Sequence, residues 1–389
     1  MQENNIEAVE HNSCVGCGAC SSACPKDCIT MRTKNGFYYP IIESNKCIQC
    51  GRCLKVCSVN DYILQFNKPI EWFAGYISKN MSPHSTSGGI CTELSRQYID
   101  GDNPVYAAAF DAKWNLVHRK INDIGELEQF SGSKYVQSVI PQNAYHALEH
   151  DLIDGKQCLF IGTPCQVAAV KKYMLLQKVD TTRLITIDFM CHGVPSPVLF
   201  KRFIGKLFVN KKISYYNFRS KKFGWGALDR TVEFQNGKSD TISANTCPFH
   251  SWFGHHLSIR ESCFVCAYRK KERVSDITVA DFWHIEKYYP DIPRRQGVSA
   301  IQINTEKGKE EYYTMSKKCH VFSQNVSEES VWNRKTALNN FLKPVSYETF
   351  WKEAEKLGIR DLIKKYPPQS KLGYIKEKLK LVLRRVKNG

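Results

Sequence analysis

Along most of the chain, short apolar runs alternate with stretches in which apolar residues recur at every third or fourth position. The run from Trp72 to Ile77 predicts a β-strand. In HSTSGGICTELSRQYI (84–99), Ile90, Leu94 and Tyr98 follow a Ser-Gly-Gly turn at helical spacing. Ser87 is the expected N-cap, and Gly88 and Gly89 leave the backbone bare. The segment KQCLFIGTPCQVAAVKKYMLL (156–176) predicts a buried strand ending at Ile161 and a turn at Gly162. Thr163 then caps a helix with Pro164 in its first position, where the missing N–H costs nothing. TRLITIDFMCHGVPSP (182–197) predicts a second such strand, running out at Cys191 and His192. VEFQNGKSDTI (232–242) has the pattern of a β-hairpin about an Asn-Gly turn. Strands alternating with helices in this way predict a mixed α/β body.

The first 66 residues have another texture, set by cysteine. Residues 14–24 read CVGCGACSSAC and residues 47–57 read CIQCGRCLKVC, both the C-x-x-C-x-x-C-x-x-x-C run of two-cluster bacterial ferredoxins. Two-residue spacers wrap three thiolates round one face of a cubane, and the fourth cysteine reaches the other cluster. One 4Fe-4S cluster is therefore expected on Cys14, Cys17, Cys20 and Cys57, and a second on Cys47, Cys50, Cys53 and Cys24. Zinc knuckles also use C-x-x-C, but eight cysteines in this doubled register argue against them. Cys28 is extra and is expected as a small buried hydrophobe. The fold class is thus α+β or α/β, with a two-cluster ferredoxin-like domain over residues 1–66 ahead of the α/β body.

Composition narrows the function classes. The 389 residues, 42% apolar and 12% aromatic, suit a folded chain, and no apolar run approaches the length of a membrane span. Met1 to Asn12 shows no secretory signal, so the seventeen cysteines are expected in a reducing cytoplasm, as metal or cluster ligands rather than disulfides. The net charge of +17 would suit nucleic acid. However, each cubane with four thiolates brings roughly two negative charges, and the cations are spread along the chain. An acidic redox partner or a phosphate-bearing cofactor accounts for the charge equally well, and no nucleic acid is expected.

Four cysteines of the body stand where chemistry is expected. Cys165 sits at a positive helix end that favours its thiolate. Cys191 ends the next strand, and ligands gather at the carboxyl ends of strands in open α/β sheets. With the C-x-x-C pair Cys263 and Cys266 they make four thiolates, enough for a third 4Fe-4S cluster. Cys247, before Pro248, competes with Cys165 or Cys191 for that role. Cys91, Cys158 and Cys319 read as core packing, and His255 and His256 as surface or packing residues. Neither a G-x-G-x-x-G loop after a strand nor a Walker loop is present. The last nineteen residues carry seven Lys or Arg and one Glu, with Leu372, Ile375, Leu379, Val382 and Val386 at helical spacing. This basic helix could meet an anionic membrane surface or an acidic partner.

Taken in order, the cysteine repeat, STSGG, GTPCQVAAV and CFVCAYRKKERVSDITVADF resemble the beta-subunit family of deazaflavin-dependent hydrogenases and formate dehydrogenases, over residues 14 to about 330. The resemblance implies FAD beside a cubane, with electrons passing between clusters and an organic acceptor. It places Ser87, Gly88 and Gly89 against FAD, and Gly162, Thr163, Pro164 and Gln166 in a loop lining the flavin site. Cys165 falls on the cysteine of that loop, Cys263 and Cys266 on the downstream pair, and Asp276 and Asp281 on the stretch after it. GSKYVQS (132–138) is similar to a segment near the flavin, making Lys134 a candidate for phosphate or substrate contact. The DFMCHGVPSP segment resembles a bacterial branch, so use of the deazaflavin itself is not implied.

The expected organisation is a ferredoxin-like domain (1–66), two parts of a flavin-binding region (67–160 and 161–335) and a helical basic tail (336–389). The expected activity is that of an FAD- and iron–sulfur-dependent oxidoreductase with a ferredoxin or other acidic electron donor and a small organic acceptor. His192 and Lys134 are the candidate catalytic residues. The competing readings are an electron-relay subunit with no substrate of its own, and a basic iron–sulfur protein that binds nucleic acid.

Overall fold

The computed structural model describes residues 4–60, 64–222, 224–333 and 338–368. Strands β1 (Ile29–Lys34) and β2 (Phe37–Ile42) form an antiparallel hairpin between the two cysteine runs. The body begins with β3 (Glu71–Ile77), β4 (Val105–Phe110), β5 (Leu116–Ile121), β6 (Cys158–Ile161) and β7 (Leu184–Phe189). It continues through β8 (Ile213–Asn217), β9 (Arg230–Phe234) and β10 (Ser239–Ile242) to β11 (Ile277–Asp281), β12 (Ser299–Ile303) and β13 (Val321–Asn325). Eight of these strands make one mixed sheet in the order β13-β3-β12-β11-β7-β6-β4-β5. Its centre, β11-β7-β6-β4, is parallel, while β12 runs against both β11 and β3.

The parallel centre follows from burial on both faces. Every residue of β6 is buried. Phe160 joins a core with Tyr145, Val170 and Tyr173 from the helices Gln142–Ile153 and Pro164–Gln177. Leu159, its neighbour on the opposite face, packs with Leu94 and Tyr98 of the helix Ile90–Asp100 and with Tyr312 and Met315 of the helix Glu306–Lys318. Because β3, β4, β6, β7 and β11 run the same way, their carboxyl ends share one edge of the sheet. The cysteine-rich segment shares the first core: Ile6, Ala19 and Val56 pack with Tyr145 and Leu148. The small sheet β10-β9-β8 closes an aromatic core with Phe200, Phe218, Trp252 and Phe350.

The Ser-Gly-Gly turn departs from expectation. Gly89, at φ +80°, heads the helix Ile90–Asp100, and Ser87 is not its cap. The cause is the approach of Gly88 to the sheet. Its N–H donates to Ser299 Oγ at 2.9 Å, and its carbonyl accepts from Ile77 N–H at 2.8 Å. A Cβ there would lie 2.1 Å from the Gly75 carbonyl oxygen. The turn is pinned to β3 and β12, so the helix starts two residues later than a Ser87 cap would start it.

The large sheet draws strands from both 67–160 and 161–335, so a division at residue 160 falls inside one sheet. Within 336–389, the helices Tyr347–Lys356 and Ile359–Lys365 cover the aromatic core, and the basic helix expected over 371–389 lies outside the described residues. No helix among the described residues is long and apolar enough to cross a membrane.

Gly88→Ala is expected to cost about 1–3 kcal/mol in urea denaturation, because the methyl group meets sheet backbone that cannot move aside. Gly254→Ala, where a Cβ meets nothing within 4 Å, is expected to leave the midpoint within error.

Candidate functional site

The shared carboxyl edge assembles the four cysteines of the body. After β6, Gly162 turns the chain and Thr163 opens the helix Pro164–Gln177. The Thr163 N–H donates to Gln166 Oε1 at 3.0 Å, and Gln166 Nε2 donates to Ser138 Oγ at 2.9 Å. This reciprocal cap fixes Cys165 in the first turn. After β7, Met190 N–H pairs with the Val279 carbonyl, and the chain then presents Cys191. The 191–195 stretch pairs with residues 259–260, through Arg260 N–H on the Val194 carbonyl, which brings up Cys263 and Cys266. All four cysteines line one cavity with Val15, Arg260, Arg269 and Arg273. Cys247 lies elsewhere, fully buried in the aromatic core beside Phe249 and Tyr216.

Burial governs the acidity of these thiols. It pushes Cys165 well above the usual thiol range, with Cys266 adding to the effect, against the favourable helix end and the Thr163 hydroxyl 3.2 Å away. The expectation of a ready thiolate at Cys165 is thereby corrected: desolvation outweighs the helix end. Cys191 is pushed up to about 11 and Cys263 to about 12, again chiefly by burial. Four such thiols lose their protons only to a strong cationic centre, which is what a metal cluster supplies. The three arginines suit the residual negative charge of a cubane. Among the described residues, no three His, Cys, Asp or Glu side chains close on a single ion. A cubane spreads its thiolates more widely than a lone ion would.

The ferredoxin-like domain groups its cysteines in two sets. Burial pushes the Cys17 and Cys20 thiols upward, with Cys57 and Cys14 adding to it, so these four lie near one another, and Cys53 of the second set also reaches Cys20. Cys24, Cys47, Cys50 and Cys53 line a second cavity, and Cys50 is exposed. Cys28 lines it too, buried, with its Sγ 3.4 Å from that of Cys24. Side chains of the body hold the carbonyls of these loops. Arg260 Nε donates to Cys14 at 2.7 Å, Tyr145 Oη to Cys17 at 3.1 Å, Lys172 Nζ to Cys57 at 2.6 Å and Tyr268 Oη to Ser58 at 2.6 Å.

The residues assigned to FAD by resemblance are mostly committed within the fold. The Ser87 hydroxyl donates to the Val298 carbonyl at 2.8 Å, and Gly88 is bonded into the sheet. Gly162, Thr163, Pro164 and Gln166 form the turn and cap that carry Cys165, and Pro164 lines the cysteine cavity. Lys134 is buried, which draws its pKa down to about 7, and it donates to the carbonyls of Phe130, Ser131 and Gly132. These carbonyls hold its amine within the fold. His192 is exposed, its ring 6.4 Å from that of Phe341, next to the cysteine cavity but not lining it. Asp276 is buried and accepts from Thr186 N–H and Oγ1 and from Thr305 Oγ1, a role inside the sheet.

Beside Ser87 stands a group that the sequence reading missed. Trp225 stacks on Trp283 with centroids 4.8 Å apart and planes 4° from parallel. Trp225 Nε1 donates to Asp281 at 3.0 Å, Asp281 also holds Arg219, and the Arg219 Nε is buried with no partner. Lys221 donates to the Ser87 carbonyl at 2.6 Å, and burial lowers its pKa to about 8. Flat aromatic faces beside confined cations suit a flavin ring and its phosphates. The signal for this group lay in the two tryptophans among cations in RSKKFGW (219–225) and ADFW (280–283).

Comparison with known proteins bears on both parts of the chain. Residues 155–329 match the family described as the C terminus of the Coenzyme F420 hydrogenase/dehydrogenase beta subunit, and residues 13–60 match the 4Fe-4S dicluster domain. A chain of the F420-reducing NiFe hydrogenase complex from Methanosarcina barkeri, in a xenon-derivatised structure, is similar over 77% of this chain and 93% of that one. The two are 14% identical, with a TM-score of 0.47. No curated protein sequence matches the chain.

If the cavity holds a cubane, Cys263→Ser lowers the iron of anaerobically reconstituted protein from about twelve to about eight per chain. Cys247→Ser, altering only the aromatic core, is expected to keep about twelve.

Proposed function

Since residues 155–329 belong to the coenzyme F420 hydrogenase/dehydrogenase beta-subunit family and residues 13–60 are a 4Fe-4S dicluster domain, we propose that this chain is an iron–sulfur flavoprotein oxidoreductase. In this reading it takes electrons from an acidic, ferredoxin-type donor and delivers them to a small organic acceptor. The observation that carries it is the convergence of Cys165, Cys191, Cys263 and Cys266, from three separate segments, on a cavity whose wall includes Val15 of the first cysteine run.

The residues divide the work by position. Cys24, Cys47, Cys50 and Cys53 hold the outer 4Fe-4S cluster, where exposed Cys50 and Ile48 give a partner access. Lys26 lines this cavity exposed, and Lys55 is exposed on the helix beside Cys53, so an acidic donor is favoured, while Lys46 pairs with Glu43. Cys14, Cys17, Cys20 and Cys57 would hold an inner cluster, on the side of the domain whose Cys14, Cys17 and Cys57 carbonyls the body bonds. The four body cysteines hold a third, and Val15 and Tyr268 help keep water from it. FAD would lie in this reading at the neighbouring part of the sheet edge, beside the stacked Trp225 and Trp283 and the cations Arg219 and Lys221, a reading supported by the unpartnered Arg219 Nε. When bound, the clusters supply one-electron steps and the flavin joins these to two-electron chemistry. Membership of a beta-subunit family favours partner subunits beside the donor.

Protein prepared without oxygen is expected to contain about twelve irons and about one FAD per chain. About eight irons and no flavin would overturn the proposal. With reduced ferredoxin as donor, the second-order rate of cluster reduction is expected to fall steeply as salt rises, because opposite charges steer the encounter. A rate indifferent to salt would remove the acidic donor from the reading.

A further inference from the structure

The cavity of the four body cysteines contains a charge without an answering one. Arg260 is 1% exposed and lines the cavity together with the four cysteines. Its Nε donates to the Cys14 carbonyl at 2.7 Å and its Nη1 to Gln137 Oε1 at 3.3 Å, both neutral acceptors. Its Nη2 is buried with no partner. The adjacent Glu261 pairs instead with Lys343. Of the other arginines on the wall, Arg273 also has a buried Nε without a partner but has Asp188 at 3.9 Å to answer its charge, and Arg269 donates to the carbonyls of Cys191 and Asn339. A buried guanidinium with only neutral acceptors and an idle N–H is costly unless an anion occupies the space it faces.

The plane of Arg260 is also held. Tyr39 lies under it, 4.1 Å from Cζ to the ring centroid, and the Tyr39 ring is itself stacked on His11 at 3.7 Å. Gly16 makes the approach possible, since a Cβ there would sit 2.5 Å from Gln137 Nε2 and 3.1 Å from Arg260 Nη1. The first cysteine run and β2 therefore grip the guanidinium of a residue that lines the cavity. A planar, permanently charged fork held in this way is pre-organised for a fixed anion.

We infer that Arg260 is the counter-cation and hydrogen-bond donor of the third cluster, and that it couples that cluster to the inner one through the Cys14 carbonyl. This rests on the reading that the four body cysteines hold a cubane. A cation beside a cluster stabilises the more negative, reduced form, so removing it shifts the midpoint potential downward. Hydrogen bonds to cluster sulfurs act in the same direction.

The test is a redox titration of the full chain, followed by electron paramagnetic resonance, with iron counted in the same samples. The signal that disappears in Cys263→Ser identifies the third cluster. In Arg260→Gln, its midpoint is expected to move negative by at least 59 mV, a tenfold change in oxidised-to-reduced ratio at fixed potential. Smaller shifts are expected for the other two clusters. Arg260→Lys, which restores the charge, is expected to recover more than half of the shift. An unchanged midpoint with about twelve irons retained, or a shift that lysine does not recover, overturns the inference while leaving the third cluster standing. If the glutamine variant assembles only about eight irons, retention of about twelve by the lysine variant supports a required cation, and loss in both overturns it. About eight irons in the unaltered protein would instead fail the cluster reading itself, and the role of Arg260 with it.

Discussion

The structure depends on how the carbonyls of the cysteine loops are satisfied. A loop that wraps a cluster turns its N–H groups toward the sulfurs and leaves carbonyls facing outward, outside any helix or strand. Here the body answers them: Arg260 on Cys14, Tyr145 on Cys17, Lys172 on Cys57 and Asn60, and Tyr268 on Ser58. A hydrogen bond from a charged donor contributes about 1.5–3 kcal/mol net, and a buried carbonyl left without one costs a comparable amount. Two of the four donors are cations and all four are buried, so the set acts as a clamp rather than a surface contact. It holds the ferredoxin-like domain in one core with the helices Gln142–Ile153 and Pro164–Gln177, and it keeps Val15 in the wall of the cavity formed by the four body cysteines.

The second organising fact is the direction of the strands. Since β3, β6, β7 and β11 all end at one edge, the Ser87 turn, Cys165, Cys191 and Asp281 are gathered there although they are far apart in the chain. Antiparallel β12 inserted between β11 and β3 does not disturb this, because it reverses direction twice over. The edge therefore offers thiols at its middle and, toward β3, aromatic and cationic groups. A relay and a flavin can stand side by side on such an edge without either needing a domain of its own.

How much of this is legible in the sequence depends on the range of the forces involved. The two N-terminal cysteine runs are legible because ligand spacing is local, as are the strand before Gly162 and the Thr163 cap, whereas the sequence reading missed the part Gln166 takes in that cap. The choice between Cys191 and Cys247 is not, since both precede plausible turns and only the tertiary fold separates the cavity from the aromatic core. At Cys165 the local cue, a helix end, is real but smaller than the cost of burial, which only the packed structure reveals. At Ser87 a good capping residue loses to the close approach of Gly88 to the sheet. Arg260 and Cys14 lie 246 residues apart, beyond any pattern a single sequence displays.

The exposure of Cys50 has a cost as well as a use. Its neighbours in the second cavity are at least partly covered, and the ligands of the inner and third sets are buried or half-buried. Dioxygen reaches iron–sulfur centres by the same open face that admits a protein partner, and thiolates on such a face are oxidised first. Damage therefore begins at the outer cluster, where buried Cys28 stands 3.4 Å from Cys24 as a spare thiol. In the proposed reading the outermost centre would act as a fuse: aerobic handling would silence the chain by cutting it off from a donor while the deeper centres stayed whole.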